Sequence, residues 1–181
     1  MAIRIYGNRA IKTLPGQATR PTSARVREAL FNIWRGRVSG CRWLDLCAGS
    51  GAMGAEALCR GAAVAVGIDA AGAACRVIRQ NWTLVAQPEQ SFQVLRGDVI
   101  QQLRKLQGSF DLIYFDPPYA SGLYQSVLAG IAENGLLVEE GAIAVEYSPE
   151  SWQPAETAGL ALDQTKRYGS TSLAFFSPEG I

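Results

Sequence analysis

The sequence predicts a three-layer α/β fold with a mostly parallel sheet, helices on both faces, and an antiparallel C-terminal hairpin. From residue 42 onward, short apolar runs typical of strands alternate with longer helical stretches. Repeated β-α units of this kind build a parallel sheet that is covered on both sides. Near the end of the sequence, two strand-like runs are separated by Tyr168-Gly169-Ser170, which is typical of a hairpin.

The predicted elements begin with a short strand at residues 3–6, followed by a loop over residues 7–19 that Gly and Pro interrupt. Thr22 is the expected cap of a helix over roughly residues 23–36. Strands are then expected near residues 42–47, 63–68, 92–97, 110–115 and 141–147, helices near 52–60, 71–84, 98–107 and 121–133, and hairpin strands near 159–167 and 171–177. We predict a single domain over residues 1–181, in which residues 1–41 extend a core at 42–181.

The composition is that of an ordinary globular protein, with 48% hydrophobic and 18% charged residues. No apolar stretch approaches the roughly 18 residues that a membrane span needs, and no signal peptide is evident. We therefore expect a cytoplasmic protein, without membrane contact and monomeric. The four cysteines lack C-x-x-C spacing and the chain has no histidine, so we expect no metal site and no Ser-His or Cys-His catalysis.

The charge is distributed unevenly along the chain. Residues 1–42 contain nine Arg or Lys residues and one acidic residue, a net charge of +8, whereas the remaining 139 residues have a net charge of −7. A basic segment on an acidic body is typical of a surface that binds a polyanion. A solvated charged helix face is the alternative interpretation.

A glycine-rich loop over residues 47–54 follows the first core strand. Gly49-x-Gly51-x-x-Gly54, with Asp69 twenty residues after Gly49, satisfies the dinucleotide fingerprint. Asp45 argues against this reading, because it would repel a pyrophosphate at 4 Å by about 4 kcal/mol at an effective dielectric near 20. S-adenosylmethionine carries an ammonium and a sulfonium, so an acid there attracts it. The residues expected to hold this donor are Asp45, Ala48, Gly49, Ser50 and Gly51 at its methionine end, Asp69 at its ribose and Asp98 at its adenine.

Asp98 has a second interpretation, as the N-cap of a helix over residues 99–107, and the two roles are compatible.

A different motif, Asp116-Pro117-Pro118-Tyr119, directly follows an apolar strand. Two consecutive prolines cannot extend a sheet ladder, so they form a stiff loop that presents a carboxylate and a backbone carbonyl beside an aromatic ring. Two acceptors and a stacking face suit a planar base with an exocyclic amino group. Asp116, Pro117, Pro118 and Tyr119 are therefore the predicted catalytic residues.

These two motifs together resemble those of class I S-adenosylmethionine-dependent methyltransferases, which have a Rossmann-like fold. The segment Arg20-Pro21-Thr22-Ser23-Ala24-Arg25-Val26-Arg27-Glu28-Ala29-Leu30-Phe31-Asn32 closely resembles the RsmD family, and the similarity covers essentially the whole chain. The resemblance implies methylation of the N2 of a guanine in small-subunit ribosomal RNA. It also implies that ribosomal RNA or the small subunit is the partner. Ala71 departs from the family pattern, which commonly has an Asp there.

The resemblance suggests two roles for the basic N-terminal segment, contact with RNA and contact with the donor. Arg20, Arg25, Arg27 and Arg35 are predicted to face outward and contact RNA phosphates, while Thr22 faces inward toward the donor. Three alternatives stay open: an adenine-N6 methyltransferase on DNA or RNA, a non-catalytic ribosome-assembly protein that binds RNA, and an NAD-dependent oxidoreductase.

Overall fold

A computed structural model of the chain describes residues 1–15, 21–157 and 159–180. Its strands are β1 (Ala2–Ile5), β2 (Arg9–Lys12), β3 (Arg42–Leu46), β4 (Val64–Asp69), β5 (Ser91–Arg96), β6 (Phe110–Phe115), β7 (Leu137–Tyr147), β8 (Leu160–Tyr168) and β9 (Thr171–Pro178). Its helices are α1 (Pro21–Ile33), α2 (Ala52–Cys59), α3 (Gly72–Val85), α4 (Val99–Leu103) and α5 (Tyr124–Glu133). Among these residues, no helix combines the length and apolar character needed to cross a membrane.

The main sheet has seven strands in the order β5-β4-β3-β6-β7-β9-β8. Strands β3 to β7 are parallel, and β9 runs antiparallel to both β7 and β8. The predicted fold class, a mostly parallel sheet with an antiparallel C-terminal hairpin, is confirmed. The chain leaves β3 toward β4 on one side and later returns to β6 on the other side, so β3 and β6 flank a switch point in the strand order.

Alternate residues of each strand enter two apolar layers, one on each face of the sheet. On β3, Trp43 packs in a layer with buried residues of α1, α2 and α3, whereas Leu44 packs in a layer with residues of α4 and α5. Both side chains are fully buried. A parallel sheet that is buried on both faces holds its strand ends in fixed positions, and these ends carry the candidate site.

The N-terminal segment contains a hairpin that the sequence did not predict. Strands β1 and β2 pair antiparallel within residues that were expected to form a strand and a loop. The turn between them uses left-handed backbone at Gly7 (φ 72°) and Asn8 (φ 59°). The hairpin is tied to α3, because the Asn81 side chain accepts from the Lys12 N–H and donates to the Lys12 carbonyl, each at 2.9 Å.

Helix α1 begins at Pro21, two residues before the predicted start. Proline suits the first helical position because its fixed φ is already helical and its missing N–H would have no partner there. Thr22 therefore lies inside the first turn, and its predicted capping role depends on a side chain that lies outside the described residues.

Candidate active site

A crevice of about 760 Å³ lies at the carboxyl edge of the sheet. It is lined by the loop after β3, the loop after β6, the ends of β4 and β7, and residues 97–99. Ligands of open α/β sheets bind where the strand order reverses, which here is between β3 and β6. The volume is within the range of small-molecule sites.

Trp82 of α3 supports the glycine loop from below. Its indole N–H donates to the Gly51 carbonyl at 2.8 Å, and the neighbouring Asn81 donates to the Ser50 carbonyl at 2.8 Å. A Cβ atom at Gly54 would lie 2.2 Å from the Trp82 ring, and one at Gly51 would lie 2.8 Å from its Nε1. Two glycines of the fingerprint are therefore required to accommodate a tryptophan, which gives a reason for them that involves no phosphate.

Asp69 fixes the loop over the end of β4. One carboxylate oxygen accepts from the Gly49 N–H and the other accepts from the Ala71 N–H, each at 2.9 Å. Asp69, Ala71, Ala48 and Gly49 all line the crevice. The carboxylate predicted to hold a ribose thus also holds the loop and the start of α3.

Asp45 lines the same crevice but is only 1% exposed. Its carboxylate accepts from the Gly54 N–H at 2.9 Å in the first turn of α2. Burial raises the pKa of Asp45 to about 8, although the Gly54 hydrogen bond opposes this shift. A cation beside this carboxyl would favour its ionised form.

This pKa predicts how stability depends on pH in an Asp45→Asn variant. The native state keeps a proton on Asp45 that the unfolded chain loses near its usual pKa of 3.8. The contribution of Asp45 to stability should therefore fall as pH rises from about 4 to about 8 and then level off. Asn does not titrate and keeps an acceptor for Gly54. The urea midpoint of the variant should therefore rise relative to that of the wild type between about pH 5 and about pH 8.5. A difference between the two midpoints that does not change with pH would contradict this prediction.

Asp98 caps α4, because its side chain accepts from the Gln101 N–H at 3.0 Å. It also lines the crevice, at the edge formed by the end of β5. The capping role is confirmed, and the contact with an adenine amino group stays a prediction.

The loop Asp116–Tyr119 lines the same crevice, after the strand next to β3. The Asp116 N–H donates to the Leu46 carbonyl at 3.3 Å, which continues the contact between β6 and β3 beyond the end of β6. Pro117 is buried and Pro118 is exposed. The Tyr119 hydroxyl is hydrogen-bonded at 2.9 Å to Thr171, a buried residue at the start of β9. All four predicted catalytic residues line the crevice.

Arg27 was predicted to face outward, but the structure places it in the interior. It is 7% exposed, forms a 2.6 Å ion pair with the buried Glu56 and donates to the Arg4 carbonyl at 2.9 Å. The outward orientation is wrong because α2 brings Glu56, distant in sequence, against this face of α1. Arg25 and Arg35 are exposed, and Arg35 donates to Asn32 at 3.1 Å. Arg20 and the side chain of Thr22 lie outside the described residues.

Known proteins resemble this chain over nearly its full length. A family model described as Conserved hypothetical protein 95 matches residues 3–177. Ribosomal RNA small subunit methyltransferase D of Escherichia coli strain K12 is 30% identical over 181 residues, which are 98% of this chain and 90% of that protein. The chain belongs to the RsmD family.

Two further comparisons support the assignment of this chain to the RsmD family. YlbH of Bacillus subtilis strain 168 is 33% identical over 175 residues, or 95% of each chain. The solved structure of yhhF from Escherichia coli is 30% identical with a TM-score of 0.86 and covers 100% of both chains. The family predicted from the residue 20–32 segment and the two loops is thereby confirmed.

Sequence reasoning missed four residues of this RsmD-family site. Trp82 supports the glycine loop, Thr171 anchors Tyr119, and Tyr114 and Glu146 line the crevice beside Asp116. Glu146 could have been identified from the sequence of β7, because it is an acid within the buried second half of the strand, whereas Glu139 and Glu140 lie in the exposed part. Nothing local marks Thr171, which reaches Tyr119 only through the pairing of β9 with β7.

Proposed function

We propose that this protein transfers a methyl group from S-adenosylmethionine to the exocyclic N2 of a guanine in small-subunit ribosomal RNA. The observation that carries the proposal is that the glycine loop and the Asp116–Tyr119 loop line one crevice. Such an arrangement can bring a donor and an amino group together. Relatives that carry the name ribosomal RNA small subunit methyltransferase D support the RNA substrate.

The charge of the crevice favours a cationic donor. Asp69, Asp98 and Asp116 line it, and Asp45 would ionise beside a cation, whereas the charge of Arg27 at the same crevice is paired with Glu56. A pyrophosphate would therefore meet this surface unfavourably. The packing of Trp82 against the glycine loop further weakens the dinucleotide interpretation. In our proposal the donor's ammonium end contacts Asp45 and the loop 48–51, its ribose contacts Asp69, and its adenine contacts Asp98. When bound, the donor supplies a methyl group on sulfur, and sulfur retains the electrons of the broken bond.

Asp116 and the Pro117 carbonyl have the role of orienting the amine. The guanine is extruded from its stacked position, as enzymes that modify bases require, and stacks on Tyr119. The two acceptors receive the two N–H bonds, so that the nitrogen lone pair points across the crevice. The hydrogen bond to Thr171 keeps the Tyr119 ring in one orientation for stacking.

The proton balance requires no tuned base. The nitrogen lone pair forms the new N–C bond, and positive charge develops on the amine beside the Asp116 carboxylate. An aryl amine becomes strongly acidic once methylated, so a proton leaves to solvent after the bond has formed. This sequence of events is consistent with a chain that contains no histidine.

Arg25 is the exposed basic residue of α1 for which we propose a phosphate contact. Arg25→Ala is expected to weaken binding of a small-subunit rRNA transcript and to reduce the slope of log K against log salt by about 0.7–0.9 for each phosphate that is no longer neutralised. Arg104→Ala is the matched control, because this exposed arginine follows α4 on the other face of the sheet. Equal effects of the two substitutions in a fluorescence titration would remove the proposed contact.

The test of the function is incorporation of tritiated methyl groups. Small subunits from cells that lack this protein are incubated with the purified protein and labelled S-adenosylmethionine, and the RNA is then digested to nucleosides. Label in N2-methylguanosine at one mapped position is expected. Label in N6-methyladenosine would support the adenine enzyme instead, and subunit binding without incorporation would support the assembly protein.

A further inference from the structure

A second acidic side chain, Glu146 of β7, lies beside Asp116. Phe115 pairs with Val145 in the parallel ladder between β6 and β7, and Asp116 and Glu146 each follow by one residue. Residues at matching positions of neighbouring strands point to the same face of a sheet. Both residues line the crevice, so two carboxyl groups are adjacent at its wall.

Tyr114 of β6 holds Glu146 in place. The Tyr114 hydroxyl donates to the Glu146 carboxylate, and the two side chains are buried, with Glu146 8% exposed. Burial raises the pKa of Tyr114 well above its ordinary value, and the charges of Glu146 and Asp116 raise it further. The hydroxyl therefore stays protonated as a donor, and both acids lie near it. A carboxylate can accept several hydrogen bonds at once, so the bond from Tyr114 is compatible with another from a substrate.

The ring atoms that flank the amino group distinguish the bases. In guanine, the 2-amino group lies between N3, an acceptor, and N1–H, a second donor. In adenine the amino group is adjacent to N1, and in cytosine it is adjacent to N3; both are acceptors with a lone pair. Two adjacent carboxylates match the two donors of guanine and repel the lone pair of the other two bases, which is discrimination by an unfavourable contact.

We propose that Glu146 accepts the N1–H of the target guanine and thereby determines which base is methylated, while Tyr114 positions Glu146. This inference rests on the proposed function, since it requires a base whose amino group is held by Asp116. It adds the residue that would select guanine among the bases with an exocyclic amine, a choice that the Asp116–Tyr119 motif leaves open.

The test compares two bases in two proteins. Small-subunit RNA is prepared with guanine or with 2-aminopurine at the mapped position; 2-aminopurine keeps the amino group, but its N1 is an acceptor. The wild type is expected to prefer guanine in kcat/KM by about 10- to 100-fold, the range for a hydrogen bond to a charged group. Glu146→Gln should reduce this preference at least about tenfold, because the amide NH2 can donate to the unprotonated N1.

Three outcomes separate this inference from simpler explanations. Equal losses on both bases, with the preference retained, would mean that Glu146 is structural and would overturn the inference. Tyr114→Phe removes the hydroxyl and keeps the carboxylate, so it should lower activity while a preference for guanine persists. If Tyr114→Phe and Glu146→Gln had the same activity and the same preference between the two bases, the inference would also be overturned. If the wild-type protein methylates no guanine, the proposed function fails as well. The incorporation of tritiated methyl groups into small subunits shows this before any variant is made.

A second variant covers the case in which Glu146→Gln does not fold. Glu146→Asp keeps the charge and withdraws the carboxylate by one methylene group, so the preference for guanine is again expected to fall. A preference equal to that of the wild type in a folded Glu146→Asp protein would overturn the inference.

Discussion

Asp116→Ala is expected to lower kcat for methyl transfer by about 100- to 1000-fold, the loss typical of removing one group that stabilises charge in a transition state. The carboxylate has two proposed roles, which are to orient the amine and to offset the positive charge that develops on it. Because these interactions strengthen as the new bond forms, KM should change much less than kcat. Single-turnover transfer of labelled methyl groups to small subunits measures the effect.

The matched control for Asp116→Ala is Glu89→Ala. Glu89 is exposed and lies before β5, at the edge of the sheet opposite the crevice. It should retain wild-type transfer, and both variants should bind S-adenosylmethionine in calorimetry. Near wild-type kcat in a folded Asp116→Ala protein would eliminate the proposed role and, with it, the main reason to assign base methylation to this loop.

Trp82→Ala is expected to destabilise the protein by about 3–5 kcal/mol, the range for truncating a buried tryptophan. The ring is fully buried, contacts the loop glycines and donates to the Gly51 carbonyl. Its removal leaves a cavity beneath the glycine loop and a carbonyl without its donor. Urea denaturation measures the loss of stability, and titration with S-adenosylmethionine should show weaker binding at temperatures where the variant stays folded.

Leu84→Ala provides a comparison within the same helix. Leu84 is 66% exposed, so its truncation should change the free energy of unfolding by no more than about 0.5 kcal/mol. If Trp82→Ala unfolded at the same urea concentration as Leu84→Ala, the indole would not support the loop. The glycines would then need another explanation, such as close approach of a ligand.

The parallel core was predictable because its signals are local. The apolar run before Asp116 and the alternation of strands and helices give the bounds of β6 without error, and those of its neighbours β3 and β7 to within one and four residues. β2 was missed because four residues beside a glycine turn carry no clear strand pattern, and their pairing with β1 depends on the support of α3. The order of the strands follows from tertiary packing, and periodicity along the chain does not determine it.

The site was predictable where its residues lie in one loop and unpredictable where they meet across strands. Asp116–Tyr119 could be identified as a unit. Arg27 was misassigned because its partner, Glu56, is 29 positions away in the chain. Glu146 belongs to the site only because β7 is the neighbour of β6. Sequence patterns identify such groups separately, but their proximity depends on the register of the sheet.

The hydroxyl contact between Tyr119 and Thr171 has a consequence for biosynthesis. Thr171 begins β9, which follows every other described strand in chain order. While the residues beyond about 170 are still inside the ribosomal exit tunnel, the Tyr119 hydroxyl cannot form its hydrogen bond to Thr171. The loop Asp116–Tyr119 therefore reaches its final arrangement only after β9 has been synthesised and has paired with β7.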